Sequence, residues 1–273
     1  MITLGTIPYL NTQPVDCYLH RYAPNVHIVR DIPTAINREL INGNIAVGPL
    51  SVYELVHHSN IFAIVTDISI TAVGTVQSVL LFSWYADIRE LDQRPIALTV
   101  HSSTSVHLLR LLCQQHYRIR PQWKPMAQDL ETMLQSCAGA LLIGDAALIE
   151  GTLRRSIHPH GRPYVFDLCD EWGQLTGLPF TFAVWVVHRD WMAEVRLHKI
   201  IPALRASRAY GLTRIETIAE QYAPRLGLSP EICSVYLHNL RYELDPDALE
   251  GFYAFLRMSR PDFHRDNLYL YGE

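Results

Sequence analysis

Several things are missing from this chain, and each absence narrows what it does. Cysteine is sparse, at Cys17, Cys113, Cys137, Cys169 and Cys233 only. An odd, scattered set with no C-x-x-C argues against a disulfide framework and a zinc site, and for a reducing compartment. The histidines form no H-E-x-x-H; His57-His58 and His158-Pro159-His160 read as surface loops. Positive charge is not in surplus. Lys and Arg total 23 against 27 Asp and Glu, a formal net charge of −4. That speaks against a nucleic-acid partner and against a polybasic contact with a membrane. No apolar run reaches the roughly 18 residues of a spanning helix. Nor does the N-terminus carry a basic run followed by an apolar stretch. Met1 leads straight into a strand, so cytoplasmic residence is the expectation. There is no G-x-G-x-x-G and no G-x-x-x-x-G-K-[ST], which leaves nucleotide cofactors unsupported. The absence of G-x-S-x-G does the same for hydrolase chemistry.

What is present is a core. Hydrophobic residues make up 49% of the 273 and charged residues 18%, the balance of a globular protein long enough for one large domain or two modest ones. Strands and helices alternate from the start. Residues 1–6 and 26–29 read as strands. Pro33 to Ile41 reads as a helix, with Ile36, Leu40 and Ile41 on one stripe and Gly43 stopping it. Residues 45–47 and 62–65 are further strands. This order predicts a mainly parallel sheet with helices on both faces. Residues 68–83 read as one or two extended segments. After Pro95 the pattern restarts, with strands at 96–100, 140–143, 164–168 and 180–187, and a loop at 171–179. The last third is helical, with helices at 190–210 and at 213–222 (opened by a Thr213 cap). Two more follow Ser229-Pro230 and Asp245-Pro246.

The fold class expected is therefore α/β, with two α/β units forming two lobes and a ligand cleft, the layout of two-lobed solute-binding proteins. Residues 1–84 and 185–273 would form the first lobe and residues 85–184 the second.

Polar residues cluster at strand-to-helix turns, where open α/β sheets bind ligands. Tyr9-Leu10-Asn11-Thr12-Gln13-Pro14 follows the first strand. By position alone, Asn11 and Thr12 cap the helix that Pro14 opens. Ser51 is a candidate N-cap for the helix at 52–57, with Glu54 completing a capping box. Ser102-Ser103-Thr104-Ser105 offers hydroxyls and free N–H groups at a helix start, suited to a carboxylate or phosphate. Asp145 ends another strand; a base, a hydrogen-bond anchor and a cap are all open to it. Ser78 is a small polar residue in an apolar strand. Trp172, Trp185 and Trp191 read as core or hinge.

Six stretches in order resemble the motifs of the chorismate dehydratase family of the futalosine route to menaquinone. They are Tyr9-Leu10-Asn11-Thr12-Gln13-Pro14; Gly48-Pro49-Leu50-Ser51 with Tyr53-Glu54; and Gly74-x-Val76-x-Ser78. Then come Ser102-Ser103-Thr104-Ser105 and Leu142-Ile143-Gly144-Asp145-Ala146-Ala147-Leu148. The last is Asp167-Leu168 through Trp172, with Thr176-Gly177-Leu178-Pro179-Phe180 and Ala183-Val184-Trp185. The resemblance implies a periplasmic-binding-protein-like fold. It also implies loss of water from a small-molecule substrate, chorismate, giving 3-[(1-carboxyvinyl)oxy]benzoate. No metal or organic cofactor is expected. Asn11 and Ser78 would be the catalytic pair, and Tyr9, Thr12, Ser51, Ser102, Ser103, Thr104, Ser105 and Asp145 substrate-binding residues. One departure is Ala46, in Gly43-Asn44-Ile45-Ala46, where the family commonly has Asp. The sister family acting on cyclic dehypoxanthine futalosine opens on a motif more like P-C-P-N-D. A non-catalytic binding protein for an aromatic or cyclic carboxylic acid is the alternative of another class.

Overall fold

The computed structural model describes residues 1–153 and 161–272; His158-Pro159-His160 therefore lies outside the described residues. The chain divides into two compact units, Met1–Thr71 with Thr181–Glu273, and Ala72–Phe180.

The first unit begins with β1 (Thr3–Thr6), β2 (His27–Arg30) and β3 (Val47–Ser51). β1 runs parallel to β2, with Thr3 opposite His27, and parallel to β3, with Leu4 opposite Val47. The helix Pro33–Ile41 buries Ile36 and Leu40 of the stripe that its spacing predicts, and leaves Ile41 half-buried. β4 (Phe62–Ala72) is longer than the segment read from the sequence, because the apolar pattern continues through Ile68 and Ile70. The chain then turns at Gly74 and Gln77, both at positive φ (+71° and +63°).

The second unit carries β5 (Val79–Ser83), β6 (Pro95–Thr99), β7 (Gln122–Met126), β8 (Gly139–Ile143) and β9 (Tyr164–Asp167). Their order in the sheet is β7-β6-β8-β5-β9. β6 is parallel to β7 and β8, while β5 is antiparallel to β8 and β9. Leu80, Phe82, Ala97, Met133, Leu134 and Leu142 form a core on this sheet. The sequence reading put residues 72–84 with the first lobe; the second unit takes them because β5 hydrogen-bonds only to β8 and β9 among the described strands. The loop expected at 171–179 is mostly the helix Leu168–Thr176. Asp167 caps it, Leu168, Cys169 and Trp172 form its buried face, and Gly177 ends it at φ +71°.

The chain returns to the first sheet as β10 (Phe180–His188), antiparallel to β3 with Trp185 opposite Pro49. With β11 (Leu240–Arg241) and β12 (Tyr269–Leu270), the sheet reads β11-β4-β10-β3-β1-β2, with β12 also on β4. The first sheet is thus mixed, not mainly parallel as its opening suggests. Trp172 and Trp185 are core residues. The long helix expected at 190–210 breaks at Lys199 (φ +53°), and Ile200–Leu212 is its second part. Thr213 is not a cap: its hydroxyl donates to the Tyr210 carbonyl and the next helix is Ile215–Leu226. Ser229 and Asp245 cap the helices Pro230–His238 and Pro246–Ser259, as expected.

Candidate functional site

In the first unit, the motif after β1 folds as a 3-10 turn, Leu10–Thr12, running into the one-turn helix Gln13–Asp16. The Tyr9 carbonyl gathers the turn. It accepts from the Thr12 N–H at 3.3 Å, the Thr12 hydroxyl at 3.2 Å and Gln13 Nε2 at 2.9 Å. The Thr12 hydroxyl also lies 2.7 Å from the Ile7 carbonyl. Thr12 therefore does not cap the helix ahead. Its backbone is helical (φ −91°, ψ −12°), and its hydroxyl is turned back, whereas a capping residue is extended. Asn11 sits inside the turn, and its Oδ1 is buried with no hydrogen-bond partner among the described residues. A buried orphan acceptor costs roughly 1–3 kcal/mol, so a ligand donor is one way to relieve it.

Ser51 ends β3, at the same carboxyl edge of the parallel strands as the Tyr9–Gln13 turn. Its N–H donates to Asn37 Oδ1 at 3.1 Å, and Glu54 Oε1 accepts from Asn37 Nδ2 at 3.5 Å. The expected capping box is absent, because Asn37 takes both partners and Ser51 makes no side-chain cap bond. Gly48 lets β3 approach β1: a Cβ there would meet Gly5 Cα and carbonyl oxygen at 3.2 Å.

Two features at the first motif were not anticipated. The helix Ile200–Leu212 lies against it, with the Ser207 hydroxyl donating to the Val15 carbonyl at 2.6 Å. Gly211 packs on the Pro14 peptide so closely that a Cβ would lie 2.8 Å from its carbonyl carbon and overlap its oxygen. The second feature is Asp16, only 4% exposed, both of whose carboxylate oxygens lack a hydrogen-bond partner among the described residues. Burial pushes its pKa up to about 7, against the smaller opposing pull of the Thr12 hydroxyl and the Arg30 charge. The sequence signal was an acid flanked by Val15, Cys17 and Leu19 in a segment otherwise apolar.

In the second unit, Ser78 is 1% exposed, and its hydroxyl lies 3.4 Å from the Val76 carbonyl. Its own carbonyl accepts from the Gly144 N–H at 2.8 Å, which ties it to the start of the helix Gly144–Leu153, where Asp145 lies in the first turn. An acid there complements the helix dipole. The Gly74–Ser78 turn hangs on Asp167, whose Oδ2 accepts from the Val76 N–H at 2.9 Å and the Gln77 N–H at 2.7 Å. Its Oδ1 accepts from Cys169 N at 3.0 Å. Burial raises the Asp167 pKa, and these backbone donors work against that rise. The sequence showed Asp167 only as part of a motif, not as the anchor of Ser78.

Ser102 is the N-cap of the helix Ser103–Leu111, accepting from Ser105 N at 3.1 Å and donating to the Ser105 hydroxyl at 3.1 Å. Thr104 and Ser105 are buried. The Ser103 Oγ is buried and without a partner among the described residues. The strand registers place these groups together. β6 and β8 run parallel and lead into Ser102–Ser105 and Asp145 respectively, while antiparallel β5 starts just after Ser78 beside Ile143. All lie at one end of the second sheet, the carboxyl end of its parallel strands. In each unit, then, the polar groups expected to act gather at the strand ends, and they are chiefly neutral amides and hydroxyls.

Two α/β units with polar turns at their strand ends define a periplasmic-binding-protein-like fold. Solved structures agree. A protein of Archaeoglobus fulgidus is similar with a TM-score of 0.74 at 16% identity, over 95% of this chain and 97% of its own. The periplasmic aliphatic sulphonate binding protein SsuA of Escherichia coli is similar with a TM-score of 0.62 at 15% identity, over 94% and 90%. The family described as menaquinone biosynthesis matches residues 2–261, and the chain belongs to it. A relative 35% identical over 262 residues, 92% of this chain and 93% of its own, is the chorismate dehydratase of Thermus thermophilus.

Proposed function

We propose that this protein is a chorismate dehydratase, a hydro-lyase that removes water from chorismate to give 3-[(1-carboxyvinyl)oxy]benzoate, and that it works in the cytoplasm. The observation that carries this reading is the similarity to the Thermus thermophilus chorismate dehydratase along nearly the whole of both chains. The orphan Oδ1 of Asn11, in the first motif, supports it.

The reaction suits a site of neutral groups. A ring hydroxyl and a neighbouring ring proton leave as water, and the ring becomes aromatic, so the product is strongly favoured. The protein must hold two carboxylates, orient the leaving hydroxyl and assist proton movement. Positioning lowers such a barrier, and fixed donors aimed at developing charge lower it further. In this reading Asn11 and Ser78 hydrogen-bond the reacting ring. Ser102, Ser103, Thr104 and Ser105, at a helix start, hold a carboxylate. Tyr9, Thr12, Ser51 and Asp145 shape the rest of the substrate site.

The test is incubation of the purified protein with chorismate, without added metal, followed by chromatography and mass measurement. A product lighter by one water, with aromatic absorbance, is expected. Unchanged chorismate that binds by calorimetry would make the protein a binder only and overturn the dehydratase reading.

A further inference from the structure

From residue 93 to residue 128 the chain has no aspartate or glutamate, yet it carries Arg94, Arg110, Arg118, Arg120 and Lys124 against a whole-chain net charge of −4. The second unit brings Arg110, Arg118 and Arg120 to one cavity of about 500 Å³, together with Gln114 and Trp123. That is the size of a small-ligand pocket. The ion pairs of the described residues occupy Arg38, Arg89, Arg205, Arg208, Arg241 and Arg260, and none of these three arginines. Of the two acids that flank this stretch, Asp92 spends its Oδ1 on the backbone N–H of Arg120 at 2.7 Å, and Asp129 spends its Oδ1 on the Thr132 N–H at 2.9 Å. Arg94 turns away, onto the Tyr85 ring at 4.4 Å. Arg110 lies 5.8 Å from the Trp123 ring centre.

The local backbone is unusual. The helix Ser103–Leu111 continues as a π-helix, Leu112–Tyr117, and Arg118 follows at φ +58°. π-turns are rare and recur at functional sites, and left-handed backbone is costly for a residue with a side chain. None of the three has a carboxylate partner among the described residues, and together they make the potential at the cavity positive. A bound anion answers that potential. A carboxylate would answer one charge. A phosphoryl group brings close to two charges and several acceptor oxygens, which match the guanidinium fork.

We propose that this cavity is a binding site for a compact, multiply charged phosphate. None of the residues assigned above to the reaction lines it, so it stands apart from the proposed chemistry.

Titration calorimetry of the full chain with inorganic pyrophosphate at low ionic strength tests this. One saturable site is expected, with binding weakened at least tenfold in the triple variant Arg110→Gln, Arg118→Gly, Arg120→Gln. Glycine suits the φ of residue 118, so Arg118→Gly alone, expected to lose at least threefold, serves if the triple variant does not fold. Adenosine monophosphate set against inorganic phosphate separates the sources: tighter binding of the former marks an organic phosphate as occupant, and equal binding marks a free one. No saturable binding of pyrophosphate overturns the proposal, as does binding that the arginine substitutions leave unchanged.

Discussion

Asp167 Oδ2 accepts the backbone N–H of Gln77 at 2.7 Å and so holds a residue at φ +63° immediately before Ser78. The bond joins β9 to the start of β5 and fixes where the serine sits. Replacing Asp167 by Ala frees that N–H, the Val76 N–H and the helix cap at Cys169 together. A loss of roughly 1–3 kcal/mol in stability is expected, with kcat lowered more than KM is raised. Gln77→Gly, which tolerates the positive φ, should restore part of the stability but not the kcat. Denaturant melts and steady-state kinetics on the double variant check both; recovery of stability and kcat in parallel would rule out a positioning role.

Ser78→Ala and Asn11→Ala probe the proposed reaction directly. Each should cut turnover of chorismate about 100-fold or more, the scale of a lost transition-state donor. Binding of chorismate, followed by calorimetry, should weaken only a few-fold. Unchanged turnover in either variant removes that residue from the chemistry.

Asp16 makes stability fall as pH rises. Its carboxyl titrates near 7 when folded, against the usual 3.8. Between those values the native chain holds a proton that the unfolded chain has released. The native state is thus favoured at the acid end and loses up to about 4 kcal/mol across the window. Asp16→Asn should flatten that slope and be the more stable protein at pH 8, by about 1–3 kcal/mol. Unfolding midpoints at pH 5 and pH 8 for the two proteins are the measurement, and parallel profiles would exclude the effect.

Gly211→Ala places a methyl group inside the Pro14 carbonyl. Overpacking of this kind costs roughly 1–3 kcal/mol or more. The helix Ile200–Leu212 must then shift off the first motif. A lower melting temperature and weaker chorismate binding are expected, while Gly173→Ala, where a Cβ meets nothing within 4 Å, should leave both unchanged.

Periodicity made the regular elements legible. Pro33–Ile41, the Ser102 cap and the caps at Ser229 and Asp245 are local patterns, and local hydrogen bonds realise them. What escaped the sequence is decided by partners outside the turn in question, some of them far along the chain. Thr12 and Ser51 look like caps from their neighbours, but Ile7 and Asn37 claim them. Residues 171–179 read as a loop until the apolar face of the helix Leu168–Thr176, with Leu168, Cys169 and Trp172, is seen to be buried. The motif residues at the strand ends were visible; their supports, Asp167 for Ser78 and Gly211 with Ser207 for Pro14 and Val15, lie 89 or more positions away.

The place of β10 between β3 and β4 has a consequence for synthesis. A ribosome that has released the first 179 residues has made every strand of the second sheet and the described helices between them. The first sheet then still lacks its middle. Val47–Ser51 and Phe62–Ala72, both largely apolar, have no common neighbour until Phe180–His188 emerges. The nascent chain thus carries open strand edges of the kind that pair with other chains. The second unit, continuous in sequence, is free to mature first, and the first sheet is completed by its late-arriving strand.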